Sequence, residues 1–353
     1  MSPCWPEKGP ATNESPSLGS PPKTWSPNSP SATSREPRPR GASWKPSRPG
    51  RAPTSCRTYA TPLFVGHEHP SGRADVEPRE VRVSARRVFF KYEGLGNDFV
   101  VIDAARPDEV PEAEAIRLCD RRRGVGADGV LLVLPATSPG ARARMRVVNA
   151  DGSVPEMCGN GLRCVALHLA RTDGLAVGET SEMLVDTDAG PKPCRVTRTA
   201  EGAGEIAIDM GIVKVLEGRE LTVDGRTFAL TTADAGNPHA ITVEPFERAD
   251  VDRYGHALAT HPTFPRGTNV EFVRQISPTK AEVVVWERGV GVTLACGTGA
   301  CATAAVLASA GLAPFDDELT IELLGGPLAI RVARDGRVHM RGPATLTFAG
   351  HVG

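Results

Sequence analysis

One pattern occurs twice in this chain and limits what it can become. Glu156-Met157-Cys158-Gly159-Asn160-Gly161 runs into the apolar stretch Leu162 to Ala170, and Ala295-Cys296-Gly297-Thr298-Gly299 runs into Ala300 to Ala310. The first stretch is interrupted only by Arg163 and His168, the second only by Thr303 and Ser309. A helix that is apolar on every side has to be buried, so the rest of the chain must wrap two such helices. The correspondence extends upstream. Asn149 stands nine residues before Cys158 and Glu287 nine before Cys296, and Gly96-Asn97 and Gly236-Asn237 each precede a cysteine by about 60 residues. The ordered part therefore reads as an internal duplication.

The wrapping reads as short strands. Val88-Phe89-Phe90-Lys91-Tyr92 is β-branched and aromatic, Gly94-Leu95-Gly96-Asn97-Asp98 is a tight turn, and Phe99 to Ile102 resumes as strand. Val130 to Leu134, Met145 to Val148, Met183 to Asp186, Ile206 to Met210, Phe228 to Thr231, Val270 to Val273, Glu282 to Trp286, Leu319 to Leu323 and Leu328 to Val332 follow. Pro111 to Arg122 has helical spacing and stops at Gly124. The expected fold is α+β: two pseudo-symmetric domains, each a curled mixed or antiparallel β-sheet around a central apolar helix. The domains are predicted at residues 88–204 and 205–342, with the boundary at Gly202-Ala203-Gly204.

Residues 1–87 hold 16 of the 31 Pro and three of the four Trp, with Leu and Ile nearly absent. Such a segment cannot bury enough apolar surface to offset the ordering of its backbone, so a disordered Pro/Ser/Arg-rich tail with no part in the chemistry is expected. A net charge of -1 gives no field directed at nucleic acid or an anionic membrane. No apolar run reaches the roughly 18 residues that a spanning helix needs. Eight Cys in a chain of this length is not a disulfide framework. Reduced thiols and a cytoplasmic setting are expected.

A cysteine at a helix start is a candidate base, because unpaired amides and the helix dipole favour its thiolate. Gly159 and Gly297 leave those amides uncovered, and the same amides can hold a carboxylate. If the two starts converge, a carbon attached to that carboxylate lies between two sulfurs. One removes its proton and the other delivers a proton from the opposite face. No cofactor is required: the chain has no Gly-rich phosphate loop of the Walker or dinucleotide type and no signature for a pyridoxal phosphate lysine. Cys119, Cys164, Cys194 and Cys301 read as core filler, and Cys4 and Cys56 fall in the tail. The spacings Cys-x5-Cys and Cys-x4-Cys do not suit zinc, so no metal is expected. A thiol redox pair is an alternative, since two nearby thiols of low pKa can oxidise to a disulfide.

The motifs resemble those of the diaminopimelate epimerase family. Gly94-Leu95-Gly96-Asn97-Asp98-Phe99, Asn149-Ala150-Asp151-Gly152-Ser153, Met157-Cys158-Gly159-Asn160-Gly161, Gly236-Asn237-Pro238-His239, Asn269, Glu287-Arg288-Gly289 and Ala295-Cys296-Gly297-Thr298-Gly299 occur in that family's order, covering about residues 88 to 353. The resemblance implies interconversion of LL- and meso-diaminopimelate on the lysine and peptidoglycan route, without pyridoxal phosphate. It implies that Cys158 and Cys296 are the acid–base thiols. Gly159, Asn160, Gly297 and Thr298 then hold the reacting carboxylate, and Asn97 lies near the reacting centre. Asn149, Asn237, Asn269, Glu287 and Arg288 grip the distal amino-acid end: Arg288 its carboxylate, Glu287 its ammonium. A C-terminal strand, residues 343–353, is implied to return to the first domain, and a homodimer to form. The partner is a small molecule, not nucleic acid or a membrane.

One departure stands out. Some family members carry Gln after the Asp of Gly124-Val125-Gly126-Ala127-Asp128, where this chain has Gly129. His239 is open between an orienting role and that of a satisfied core histidine. Two further readings stay in view: a proline or hydroxyproline racemase-type enzyme, which typically has His at the position of Asn160, and a thiol redox or binding protein on the same fold.

Overall fold

The computed structural model describes residues 86–353. The expectation of a disordered tail over 1–87 therefore falls, except for its last two residues, outside the described residues. Arg87 already belongs to the first strand.

The first half of the described chain contains β1 (Arg87–Gly94), β2 (Asn97–Asp103), α1 (Glu112–Cys119), β3 (Gly129–Leu134), β4 (Ala143–Asn149), α2 (Gly159–Thr172), β5 (Thr180–Asp186), β6 (Lys192–Arg198) and β7 (Ala203–Ile212). The second contains β8 (Lys214–Val223), β9 (Arg226–Asp234), β10 (Pro238–Thr242), α3 (Arg248–Ala259), β11 (Asn269–Ser277), β12 (Lys280–Glu287), the short β13 (Gly291–Val292), α4 (Gly297–Ser309), β14 (Glu318–Leu323), β15 (Gly326–Val332) and β16 (Arg337–Val352). The fold is α+β and dominated by its sheet.

The duplication is visible in the pairing. From β1 to β5 the strand pairs run antiparallel, parallel, antiparallel, parallel, and then antiparallel through β6 to β7. From β9 the sequence repeats through β10, β11, β12, β14, β15 and β16. Each parallel step needs a crossover. In both halves the first crossover is an outer helix, α1 or α3, and the second is an apolar inner helix, α2 or α4. The two halves close differently. β16 pairs with both β7 and β1, so the first set of strands forms a ring around α2. The second set runs from β16 to β8, and β8 pairs with β9 alone. The glycines at 202 and 204 mark the β6–β7 turn, and the chain leaves the first half only after Ile212.

Inner and outer cores follow from strand alternation. On β2 and β3, Val101 and Leu131 face the large inner cluster that contains α2 and α4, while Val100, Ile102, Val130 and Leu132 face a smaller cluster under Leu118 of α1. Phe228, Tyr254, Leu258 and Phe272 build the equivalent cluster under α3. Burial on both faces is why β3 reads as an unbroken apolar run.

Candidate active site

Two cysteines cap the inner helices. Cys158 has extended backbone (φ -137°, ψ 109°) and its sulfur accepts from the Gly161 amide at 3.3 Å. Cys296 repeats the geometry at α4 (φ -125°, ψ 106°), accepting from the Gly299 amide at 3.4 Å, with Thr298 Oγ1 at 3.5 Å. A sulfur takes the place that Ser, Thr, Asp or Asn usually fills.

The two starts converge. A Cβ on Gly159 would lie 3.8 Å from Gly297 Cα and 3.0 Å from Met340 Cε, and a Cβ on Gly297 would lie 3.2 Å from Met340 Sδ. Side chains at either position would crowd this junction, so glycine keeps the amides bare. Asn160 stitches the junction: its Nδ2 donates to Asn97 Oδ1 and to Ala295 O, both at 3.1 Å. Its Oδ1 is buried without a partner.

The model of the family described as diaminopimelate epimerase matches residues 89–216 and 231–347. The chain belongs to the diaminopimelate epimerase family. A diaminopimelate epimerase of Synechococcus elongatus is 42% identical over 283 residues, 74% of this chain and 96% of that protein. One from Desulfitobacterium hafniense is 42% identical over 278 residues, again 74% of this chain and 96% of its own length. Among solved structures, a hydroxyproline epimerase from Agrobacterium vitis shares the fold at a TM-score of 0.61 and 16% identity, covering 77% of this chain and 93% of that one. A phenazine biosynthesis protein of Bacillus anthracis does so at 0.58 and 18%, covering 76% and 99%. The resemblance read from the motifs holds.

The thiols of this epimerase-family site depart from expectation in one respect. Both were expected to be acidified by their helix starts. Instead, burial pushes Cys158 up to about 11 and Cys296 well above the ordinary thiol value. The Gly161 and Gly299 amides pull the other way but are outweighed by removal of the sulfur from water. The carboxylate of Glu287 adds to the rise at both thiols. Burial also raises Glu287 itself, against a 2.6 Å hydrogen bond from Thr293 Oγ1.

The remaining predicted residues divide into three groups. Asn97 lies at the first position of β2, where its Nδ2 donates to Asp128 Oδ2 at 2.7 Å. Asn237, Arg288 and Thr298 line a cavity of about 930 Å³ that also reaches Met157, His239 and Lys192. Asn149, Asn160, Asn269, Glu287 and the two thiols are not on its wall. Asn269 is committed to the backbone, donating to Pro238 O at 3.2 Å and accepting from the Arg288 amide at 2.9 Å. Asn149 donates to Ser153 Oγ at 2.9 Å and steadies its own turn.

Sequence reasoning passed over Asp128 and Glu271. Asp128 accepts from Asn97 and from the Asp98 amide at 3.1 Å, and takes an ion pair from Arg121 at 2.8 Å. A Cβ at Gly129 would sit 3.0 Å from Val148 O, so this strand is packed for glycine. Glu271 is wholly buried, with His239 Nδ1 2.7 Å from its Oε1. His239 Nε2 lies 2.8 Å from Asn237 Oδ1, which makes it an orienting group for that amide. The signal for Asp128 was its place in Gly-x-Gly-x-Asp. Glu271, in the alternating strand Asn269 to Val273, gave none.

Proposed function

We propose that this chain interconverts LL- and meso-diaminopimelate by passing the α-proton between Cys158 and Cys296, without pyridoxal phosphate or a metal. The reading is carried by the near contact of Gly159 and Gly297 at two cysteine-capped helix starts. A carboxylate at that junction accepts hydrogen bonds from the bare amides of Gly159, Asn160, Gly297 and Thr298. Its α-carbon then has a sulfur on each face. A thiolate takes the α-proton and becomes a thiol. The planar carbanion-like intermediate is held by the amides in a site closed to water. The opposite thiol gives its proton to carbon and becomes a thiolate, so charge and protons balance and configuration inverts.

Asn97, fixed by Asp128, lies near the reacting centre. Arg288 receives the distal carboxylate and Glu287 the distal ammonium, with Asn149 and Asn237 reading the orientation. Asn269 acts by holding the Arg288 backbone. Neutralising Glu287 with an ammonium also removes a carboxylate that holds both thiols up, which couples binding to thiol activation.

The reading includes a homodimer in the cytoplasm, with two domains that meet between β7 and β8, the first joined by residues 343–353. Among the described residues no helix is long and apolar enough to cross a membrane. The test is incubation with LL-diaminopimelate in deuterated water without added cofactor. Deuterium at the α-carbon together with formation of the meso isomer is expected. Absence of both, in folded reduced protein, overturns the assignment.

A further inference from the structure

The two thiols hold matched positions, yet the charges behind them are opposite. Arg163 stands five residues after Cys158; the matching position after Cys296 is Cys301. Arg163 is completely buried. Its Nε donates to Pro343 O at 2.9 Å, one terminal nitrogen lies 3.9 Å from Met340 Sδ, and Nη2 has no partner. Strands β1 and β16 make room for it with glycines: a Cβ on Gly94 would lie 3.0 Å from Nη2, and one on Gly342 would lie 3.5 Å from Nε. No carboxylate among the described residues forms an ion pair with it; it acts on the thiols of Cys164, Cys158 and Cys301 before Glu93 of β1, and burial holds Cys164 and Cys301 higher than Cys158. The cation is thus separated from the helix junction by a single methionine side chain, since Met340 also abuts Gly159 and Gly297.

The α4 start has a carboxylate behind it. A Cβ on Gly299 would lie 2.6 Å from Glu271 Oε1, and Glu271 Oε2 is buried without a partner. Cys158 therefore faces the carboxylate of Glu287 from β12 and, opposing it less strongly, the cation of Arg163 from its own helix α2. Cys296 faces two carboxylates, Glu287 from β12 and Glu271 from β11, the latter bonded to His239 of β10. A buried cation without a counter-ion is costly unless an anion forms nearby.

We infer that Cys158 is the first of the two thiols to ionise while Cys296 keeps its proton, and that Arg163 is the positioning residue that sets this order. The inference rests on the proposed reading only in taking these two as the working thiols. It gives the site a direction. Ionised in that order, the pair abstracts a proton on the Cys158 face, and the opposite stereoisomer requires the pair in its swapped state.

The test is alkylation of the full chain by iodoacetamide across a pH series without substrate, with both cysteine peptides quantified by mass spectrometry. Comparing the midpoints of rate against pH removes differences of access. Cys158 has the lower midpoint, so that its thiolate fraction at pH 8 exceeds that of Cys296 by roughly tenfold or more. Arg163→Met lowers the Cys158 fraction about tenfold and leaves Cys296 unmoved, Arg163→Lys restores most of it, and Glu271→Gln raises the Cys296 fraction. A lower midpoint for Cys296, or a Cys158 midpoint unchanged in Arg163→Met, overturns the inference. Should Arg163→Met fail to fold, the wild-type order and Glu271→Gln decide it. Loss of deuterium exchange with this order intact sinks the epimerase reading alone; the reverse order with exchange intact sinks this inference alone.

Discussion

Cysteine is an uncommon helix cap, and its use here joins two opposing effects at one atom. The amides of Gly161 and Gly299 favour a thiolate, while burial favours the thiol, and burial wins. The sign for activity follows. A thiol whose pKa is raised is mostly protonated at neutral pH, so the reactive form grows as pH rises. We expect kcat/KM to climb through the alkaline side of neutrality, above the ordinary thiol value of about 8.5, until the second thiol ionises. A profile flat from about pH 5 to 10 would contradict the two-thiol scheme. Cys158→Ala and Cys296→Ala should each abolish epimerisation while losing only about 1 kcal/mol of cap stability. Turnover assays with circular dichroism and thermal melting check both halves of that statement. Asp128 offers a subtler test. Its carboxylate is the anchor for Asn97, so Asp128→Ala should lower activity roughly 10- to 100-fold, as loss of a supporting partner does, with Tm little changed. Wild-type turnover in that variant would remove Asn97 from the reacting centre.

Among the elements, the turns that pack together near the site are tightest. A Cβ on Gly325 would lie 1.9 Å from Leu95 O, and the Gly325 amide donates to Leu294 O at 2.7 Å. Backbone cannot move aside as a side chain can. Gly325→Ala should therefore cost about 2–4 kcal/mol, read as a clear drop in the denaturation midpoint; an unchanged midpoint would show the turn to be loose. The elements also show where the sequence was legible. Both inner helices were visible because their apolar surface is continuous, and they begin at Gly159 and Gly297, directly after the cysteines expected at their starts. Glycine weighs against helix in isolation, and here close approach of two backbones outweighs that preference. The expected helix over Pro111 to Arg122 ends earlier, at Cys119, because the backbone turns at Asp120 to bring Val125 and Gly126 back to Leu118 O. Helix α3 went unread: its four charged residues and Gly255 hid the spacing of Val251, Tyr254 and Leu258. Gly255 itself has a tertiary cause, since a Cβ there would meet Trp286 at 2.6 Å. Strand β8 carries mostly exposed polar residues and offered no alternation to find. Of the site, the residue types were legible and their partners were not: the hold of Asp128 on Asn97 and of Glu271 on His239 spans 31 and 32 residues of chain.

At the scale of the molecule, the family match begins at residue 89, and residues 1–85 lie outside it. A chain beginning at Arg86 should keep full kcat/KM; a large loss would give the preceding residues a role denied to them here. The sheet adds a constraint of a different kind. Arg87 pairs with Val352 and Tyr92 with Leu346, so the first strand of the ring finds its partner in the last. A ribosome delivers these two strands at opposite ends of its task. Until β16 emerges, the wrapping of α2 has an unsealed seam, with the backbone of β1 bare along one edge and the inner helix exposed through it. The chain must wait, partly assembled, for its own ending, and cells that make it quickly need something to shield that seam in the meantime.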